Sequence, residues 1–249
     1  MKKELYLSAL GIVLGELNIF LGHVPAGTVV HIINLQIITI GLIFGSFSSD
    51  IKNVFQSMIL LLLLRIISIA MLQFFTITLW YPLIYGIMFL PIYYIIKNQK
   101  IPLRELGFDF RGLQIYLPLA LLIGMSFAAL EYRILDPAPL IDNIQISNLV
   151  IIVLVMFAFV GVVEELLFRS ILLTRLEKVI GTKEGLILSG LLFGIMHSVY
   201  GQIIEIVIAS LFGIVIGYVF QKTRSFPFIL AINGTSNVFL FGILPILIK

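Results

Sequence analysis

Two adjacent carboxylates and a guanidinium interrupt a long apolar stretch of the sequence. Glu164, Glu165 and Arg169 lie in the run 151–173, which is otherwise long and apolar enough to span a bilayer. A charge in the middle of a membrane helix costs about 2.5 to 3.5 kcal/mol on insertion scales, and such charges are usually functional. Helix neighbours are rotated by about 100°, so the two glutamates face different ways. Glu165 and Arg169, four residues apart, can neutralise one another, which leaves Glu164 as the candidate general base.

Three further polar side chains fall at matching positions in later apolar segments. His197 shares a predicted helix face with Phe193, and Asn233 shares one with Asn237, because each pair is spaced by four residues. With a rise of about 1.5 Å per residue, Glu164, His197 and Asn237 each lie about 16 Å from the same side of the membrane, and Asn233 about 10 Å. Three helices of alternating direction thus bring polar residues to one layer. We predict that these residues form one site.

A carboxylate, an imidazole and amide donors in a dry site are the components of water-activated peptide hydrolysis. Glu164 would take a proton from water, and His197 would orient that water or share the proton. Asn237, together with Asn233, would stabilise the developing oxyanion. A divalent metal held by Glu164 and His197 is the competing interpretation. The sequence offers few ligands for zinc, since it has no HExxH motif and no cysteine. We therefore predict no metal or other cofactor.

These residues form three motifs that resemble those of the CAAX prenyl protease and bacteriocin-processing (CPBP, or Abi) family of intramembrane glutamate-type proteases. In chain order they are Glu164-Glu165-xxx-Arg169, Phe193-xxx-His197, and a polar pair at Asn233 and Asn237. The resemblance covers roughly residues 100–248. It implies an endopeptidase, in a family historically described as metalloproteases, in which Glu164 and His197 activate water. Glu165, Arg169 and Phe193 would support the site structurally.

The third motif departs from the family pattern at its first position. The family usually has a histidine followed four residues later by an asparagine, and here Asn233 occupies the histidine place. An amide can donate a hydrogen bond to an oxyanion but cannot titrate.

The composition is that of a polytopic membrane protein. Hydrophobic residues make up 60% of the chain, charged residues make up 12%, and the mean hydropathy is +1.15. We predict an all-α bundle of about eight to nine transmembrane helices. The absence of cysteine excludes disulfides, thiolate metal sites and a cysteine nucleophile. The nine apolar segments lie at residues 5–22, 28–47, 54–74, 77–96, 113–131, 149–174, 185–199, 203–220 and 227–248.

The distribution of basic residues predicts the orientation of these helices. Nearly all lysines and arginines fall in loops at one end of the predicted bundle, which the positive-inside rule places in the cytoplasm. The N-terminus and the opening of the active site are predicted on that side. We divide the single membrane domain into variable N-terminal helices at 1–96, a cytoplasmic interfacial segment at 97–112 and a catalytic core at 113–249.

Five polar residues outside the motifs are assigned no part in the chemistry. Glu16 and Arg65 lie at similar predicted depth and are interpreted as a structural ion pair. His23 and His31 lie near the outer face, and we assign them no role. Glu205 lies near the outer end of its helix and is predicted to be solvated.

The predicted function is that of an intramembrane endopeptidase of the cell membrane. Its partners would be membrane lipid and a membrane-anchored peptide or protein substrate, which includes prenylated CAAX-type tails, and not nucleic acid. Aspartyl chemistry is excluded because every aspartate lies in a predicted loop. Three alternatives stay open: a serine–histidine dyad of Ser236 and His197 like that of rhomboid proteases, a non-catalytic bacteriocin-immunity or scaffold protein, and proton-coupled transport through Glu164.

Overall fold

The computed structural model describes residues 2–71 and 77–248, and for 77–79 it describes the backbone alone. Within these ranges the chain forms helices and no strand, so the all-α prediction is confirmed. The nine described helices are α1 (Lys2–Phe20), α2 (Val24–Phe44), α3 (Ser49–Met71), α4 (Ile77–Asn98), α5 (Leu113–Leu135), α6 (Ile146–Ile180), α7 (Thr182–Ile195), α8 (Ile203–Thr223) and α9 (Phe226–Leu247). Six of them are long and apolar enough to cross a membrane, namely α2, α3, α5, α6, α8 and α9.

The bounds of two helices differ from the prediction where it matters for the site. Helix α6 continues past residue 174 to Ile180, and this extension buries Arg175 inside the fold. Helix α7 ends at Ile195 instead of residue 199, because the chain leaves helical geometry at His197 (φ −91°, ψ 7°). His197 therefore follows a helix end rather than lying in mid-helix. The last predicted residues of the third helix, 72–74, lie outside the described residues.

Helix α6 is irregular on both sides of the two glutamates. Two π-helical segments, Val155–Gly161 and Leu166–Leu173, flank a single α-helical turn that contains Glu164 and Glu165. In a π-helix each hydrogen bond spans five residues instead of four, and such segments occur frequently at functional sites. The wider turns rotate the flanking side chains relative to a regular α-helix. Sequence spacing alone therefore does not set where these side chains point.

The helices of the predicted catalytic core at 113–249 pack through small residues and around one central helix. Helix α9 is the most buried of the six long apolar helices and packs against α5 and α6. Helices α7 and α8 cross closely, since a Cβ atom on Gly194 would lie 2.6 Å from the backbone nitrogen of Ser210. Small residues allow membrane helices to approach in this way without a hydrophobic driving force. This packing places the ends of α7 and α8 beside α6 and α9.

The predicted interfacial segment at 97–112 docks against the ends of α6 and α9. The backbone amide of Phe226 donates to the carbonyl of Gly107 (2.7 Å), and Arg175 of α6 donates to Glu105. Burial opposes the ionisation of Glu105, but hydrogen bonds from Lys178 and Arg175 hold the pKa of its carboxyl below the ordinary value. Leu103 and Phe110 remain exposed. The segment is therefore anchored by polar contacts and presents apolar side chains outward.

Candidate active site

A cavity of about 150 Å³ lies among α3, α4, α5, α6, α8 and α9 and the end of α7. Glu164, His197, Asn233 and Asn237 all line it, so the structure brings the four predicted polar residues to one place. On the scale at which a single water needs about 10 to 15 Å³, the cavity has room for several waters. The arrangement therefore offers water to the carboxylate, the imidazole and the amides.

Glu164 is half-buried, and each of its carboxylate oxygens accepts one hydrogen bond. The Tyr85 hydroxyl donates to Oε1 (3.0 Å), and the Asn233 amide donates to Oε2 (3.1 Å). A carboxylate oxygen has two lone pairs, so each oxygen keeps one for a further proton donor such as water. The two donors hold the carboxylate in one orientation toward the cavity.

The two asparagines form a hydrogen-bonded relay instead of two independent donors. Asn237 donates through Nδ2 to Oδ1 of Asn233 (2.7 Å), and Asn233 donates through Nδ2 to both Glu164 and Glu165, at 3.1 and 2.6 Å. Carboxylates accept these bonds, which determines the orientation of the Asn233 amide. Both of its polar atoms are thus engaged within the protein. The second N–H of Asn237 has no acceptor among the residues that the structure describes, and Asn237 lines the cavity.

Glu165 and Arg169 form the predicted pair, completely inside the protein. Arg169 Nη1 lies 3.0 Å from Glu165 Oε1, and the exposed fractions of their side chains are 1% and 0%. The guanidinium carbon of Arg169 lies 4.3 Å from the centre of the Phe193 ring, a cation–π distance. The pair thus ties α6 to α7 behind the cavity, and Phe193 connects it to His197, whose ring centre is 4.9 Å from that of Phe193.

The backbone of α7 determines which nitrogen of His197 carries the proton. Nδ1 lies 3.0 Å from the carbonyl oxygen of Phe193. A carbonyl can only accept, so Nδ1 is the protonated nitrogen, and in the neutral ring Nε2 keeps its lone pair. His197 lines the cavity, which leaves Nε2 as the nitrogen that can accept a hydrogen bond from water there.

Comparison with models of known protein families matches the part of the chain that contains the three motifs. Residues 146–239 match the family model described as Rce1-like, type II CAAX prenyl endopeptidase. This stretch is Rce1-like. The resemblance predicted from the three motifs is therefore confirmed, and the family together with the apolar helices makes the chain an integral membrane protein. Comparison with curated proteins and with solved structures finds no match. The Rce1-like stretch runs from the start of α6 into α9 and contains every motif residue.

The helices outside the Rce1-like stretch support the loop that carries His197. Glu16 of α1 and Arg65 of α3 form the predicted ion pair, with Nε and Oε1 2.7 Å apart. Arg65 also donates to the carbonyl of Met196, and the Ser198 hydroxyl donates to Glu16. The residues on both sides of His197 are thus held by one buried pair. His31, assigned no role from sequence, contacts the same carboxylate, with Nε2 3.2 Å from Oε1 of Glu16.

The sequence analysis missed several residues that the fold brings into the cavity. Tyr85 is part of the site through its bond to Glu164, and Glu131 lies in the wall. Glu205 was predicted to be solvated, and this is wrong: its exposed fraction is 1%, because α8 turns it inward toward the cavity. Intramembrane carboxylates at 131 and 205 were visible as rare charges in apolar segments, but Tyr85 carried no local signal.

The cavity lies toward the ends of the helices that are poor in basic residues. It is lined by Leu135 at the end of α5, by the turn at Tyr200 and by Phe241 near the end of α9. The basic loops lie at the other ends, since α7 begins at Thr182 beside Lys183 and runs toward His197. The prediction places the basic loops and the opening of the site on one side. In the structure the cavity and the basic loops lie toward opposite ends of the helices, while the side from which the site opens stays a prediction.

The donor set of the Rce1-like site does not fit a metal ion held by the protein. Glu164 and His197 are the side chains that would bind it, and among residues 2–71 and 77–248 no group of three or more His, Asp or Glu side chains is placed to hold an ion.

Ser236 lines the cavity, but its hydroxyl has no hydrogen-bond partner in the described part of the chain. A serine nucleophile would require a hydrogen bond to His197.

Replacing Asn233 by aspartate should lower any catalytic rate of the site by about 10²-fold, since correct positioning of a general base contributes on that scale. Asn233→Asp keeps the shape of the side chain but presents a third carboxylate to Glu164 and Glu165. Turnover of a cleaved peptide, compared with that of wild type, measures the effect. Ser126→Ala on exposed α5 surface is the matched control. Equal turnover of wild type and Asn233→Asp would contradict the relay described above.

Proposed function

We propose that this protein is an intramembrane endopeptidase that hydrolyses a peptide bond of a membrane-tethered substrate. The observation that supports this most directly is the placement of Glu164. Its carboxylate lines a cavity with room for several waters among apolar helices, is held by Tyr85 and Asn233, and shares the cavity with His197. The proposal agrees with the Rce1-like match of residues 146–239.

The proposed reaction uses a water molecule bound between Glu164 and the imidazole of His197. Glu164 takes one proton of the water, while Nε2 of His197 accepts a hydrogen bond from the other and so orients the attack. The oxygen of the water bonds to the carbonyl carbon, and the carbonyl oxygen becomes an oxyanion. The second N–H of Asn237 donates to that oxyanion. Glu164 then returns the proton to the leaving nitrogen as the peptide C–N bond breaks.

The role of Asn233 in this scheme differs from the one predicted from sequence. Its amide already donates to both glutamates, and its oxygen accepts from Asn237. We therefore propose that Asn233 orients the general base and the oxyanion donor instead of binding the oxyanion itself. A non-titrating side chain is suited to this position, because it stays a donor to the carboxylates at every pH.

The substrate is proposed to be a peptide anchored in the same membrane. The Rce1-like family is described as a CAAX prenyl endopeptidase family, so a prenylated C-terminal tail is one substrate class to test. A transmembrane or otherwise acylated peptide is another. In each case the lipid anchor keeps the scissile bond near the depth of Glu164.

The experiment that tests the proposal is cleavage by the purified protein in detergent or liposomes. Prenylated, acylated and transmembrane peptides are incubated with and without a strong chelator, and products are identified by mass spectrometry. We expect hydrolysis of at least one class, unaffected by chelator. Cleavage that the chelator abolishes would reject the metal-free mechanism, and absence of cleavage across all three classes would contradict the protease proposal.

We also propose that the basic loops face the cytoplasm and that the cavity opens toward the opposite side. The positive-inside rule places Arg104 and the neighbouring basic residues in the cytoplasm, and the cavity lies at the other ends of the helices. The native chain has no cysteine, so single cysteines report topology without background. In intact cells a membrane-impermeant maleimide should label Gln202→Cys and spare Arg104→Cys, both exposed positions. The reverse labelling pattern would overturn this orientation.

A further inference from the structure

Two carboxylates that the proposed reaction does not use line the same cavity as Glu164. Glu131 lies near the end of α5 and Glu205 near the start of α8, with exposed fractions of 6% and 1%. Oε2 of Glu205 is buried and has no hydrogen-bond partner among the residues that the structure describes. A buried carboxylate oxygen without a partner is costly, and Glu205, which carries it, lines the cavity.

The acidic side chains around the cavity outnumber the basic side chains that are available to pair with them. Arg65, which lines it, is already paired with Glu16, and Arg169 behind it is paired with Glu165. Glu131 and Glu205 have no such basic partner in the described part of the chain, and Glu131 lies within the electrostatic reach of both Glu205 and Glu164. Two buried carboxyl groups so placed oppose each other's ionisation, and a cation that enters between them would stabilise the ionised form of both. The cavity is therefore suited to a positively charged group.

Aromatic rings complete the surroundings of these two carboxylates. Trp80, Tyr81 and Tyr200 line the cavity, and the rings of Trp80 and Tyr81 pack edge to face with their centres 4.8 Å apart. The face of an aromatic ring attracts an ammonium or guanidinium group, most strongly where water is excluded. Carboxylates and aromatic faces in one cavity are the combination with which proteins bind organic cations.

We propose that Glu131 and Glu205 form a subsite for a lysine or arginine side chain of the peptide substrate. The inference rests on the proposed function, since it assigns a specificity to the same cavity. The basic side chain would extend from the peptide past Glu164, between the two carboxylates and the aromatic rings. A substrate with a free carboxylate at this position would be repelled. The subsite therefore selects peptides with a basic residue at a set distance from the cleaved bond.

Trp80 provides a direct measure of binding that does not depend on cleavage. It is the only tryptophan of the chain and lies in the cavity wall. Two membrane-anchored peptides that differ only in lysine against norleucine are titrated into Glu164→Gln protein, and Trp80 fluorescence is followed. We expect the lysine peptide to bind about tenfold more tightly, as for a close interfacial charge pair. When Glu205→Gln or Glu131→Gln is added to the Glu164→Gln protein, the ratio of the two affinities should fall toward one.

The control and the outcomes separate this inference from the protease proposal. Glu184→Gln, on the exposed surface of α7, should keep the full lysine preference. Equal binding of the two peptides, or no binding of either, would overturn the subsite. If lysine preference depends on Glu205 but no peptide is cleaved by wild type, the protease proposal fails and the cation site stands. If wild type cleaves a peptide but shows no lysine preference, the protease proposal stands and the cation subsite fails.

Discussion

Replacing Glu164 by glutamine should lower the rate of peptide cleavage by about 10³-fold, within the 10² to 10⁴ that a general base contributes. Glutamine has the size of glutamate and can still accept a hydrogen bond from Tyr85 or Asn233, but it cannot take a proton from water. The fold should therefore tolerate the change. Turnover of the best peptide and the thermal midpoint of unfolding in detergent are the two quantities to measure.

The neighbouring variant Glu165→Gln is the matched comparison, because it removes the adjacent carboxylate of the same helix turn. Glu165 is fully buried against Arg169, and breaking a buried ion pair costs about 3 to 5 kcal/mol. We expect Glu165→Gln to lower the thermal midpoint strongly, and Glu164→Gln to lower turnover with little change in that midpoint. If Glu164→Gln retains turnover, Glu164 is not the base. If Glu165→Gln loses turnover but stays stable, Glu165 is the general base and Glu164 has the structural role.

Breaking the pair between Glu16 and Arg65 should impair both stability and catalysis, although neither residue belongs to the Rce1-like stretch. Arg65→Met leaves the Glu16 carboxylate buried without its cation, at a cost of about 3 to 5 kcal/mol. It also removes the donor to the carbonyl of Met196, which precedes His197. We therefore expect a lower thermal midpoint and a lower turnover number. Unfolding followed by circular dichroism and steady-state cleavage measure the two effects.

The double variant Glu16→Gln with Arg65→Met separates the two effects. Removing both charges eliminates the unpaired carboxylate, so the double variant should be more stable than Arg65→Met alone. Its turnover should stay low, because Met196 still lacks the guanidinium donor that holds the His197 loop. Lys97→Met, at an exposed position of α4, controls for the loss of a positive charge. Recovery of both stability and turnover in the double variant would reduce the pair to a purely structural role.

These contacts give the N-terminal helices at 1–96 a defined part in the proposed mechanism. The sequence predicts the helices at 1–96 as variable, and α1 and α3 hold the loop around His197 through Ser198 and Met196. Helix α1 also packs against α7 and that loop. The position of the imidazole relative to Glu164 thus depends on elements that the family motifs do not include.

The sequence by itself determined the features that depend on local spacing and composition. Long apolar runs predict membrane helices because a bilayer excludes other backbone structures. Residues four apart on one helix meet, so the pair Glu165–Arg169 and the contact between Phe193 and His197 were predictable, and both are present. The three motifs and the Rce1-like resemblance follow from the same local patterns. Equal depth also predicted that Glu164, His197 and Asn237 share a layer, and all three line one cavity.

Tertiary structure decided what each polar group contacts and at which end of the helices the cavity lies. Asn233 engages both glutamates, Tyr85 reaches Glu164 from another helix, and Glu205 turns inward. These contacts join residues far apart in the chain, so the rotation and crossing of packed helices set them, and local periodicity carries no information about either. Packing likewise sets the end of α7 before His197 and the π-helical turns of α6. These two features determine the orientation of the motif side chains.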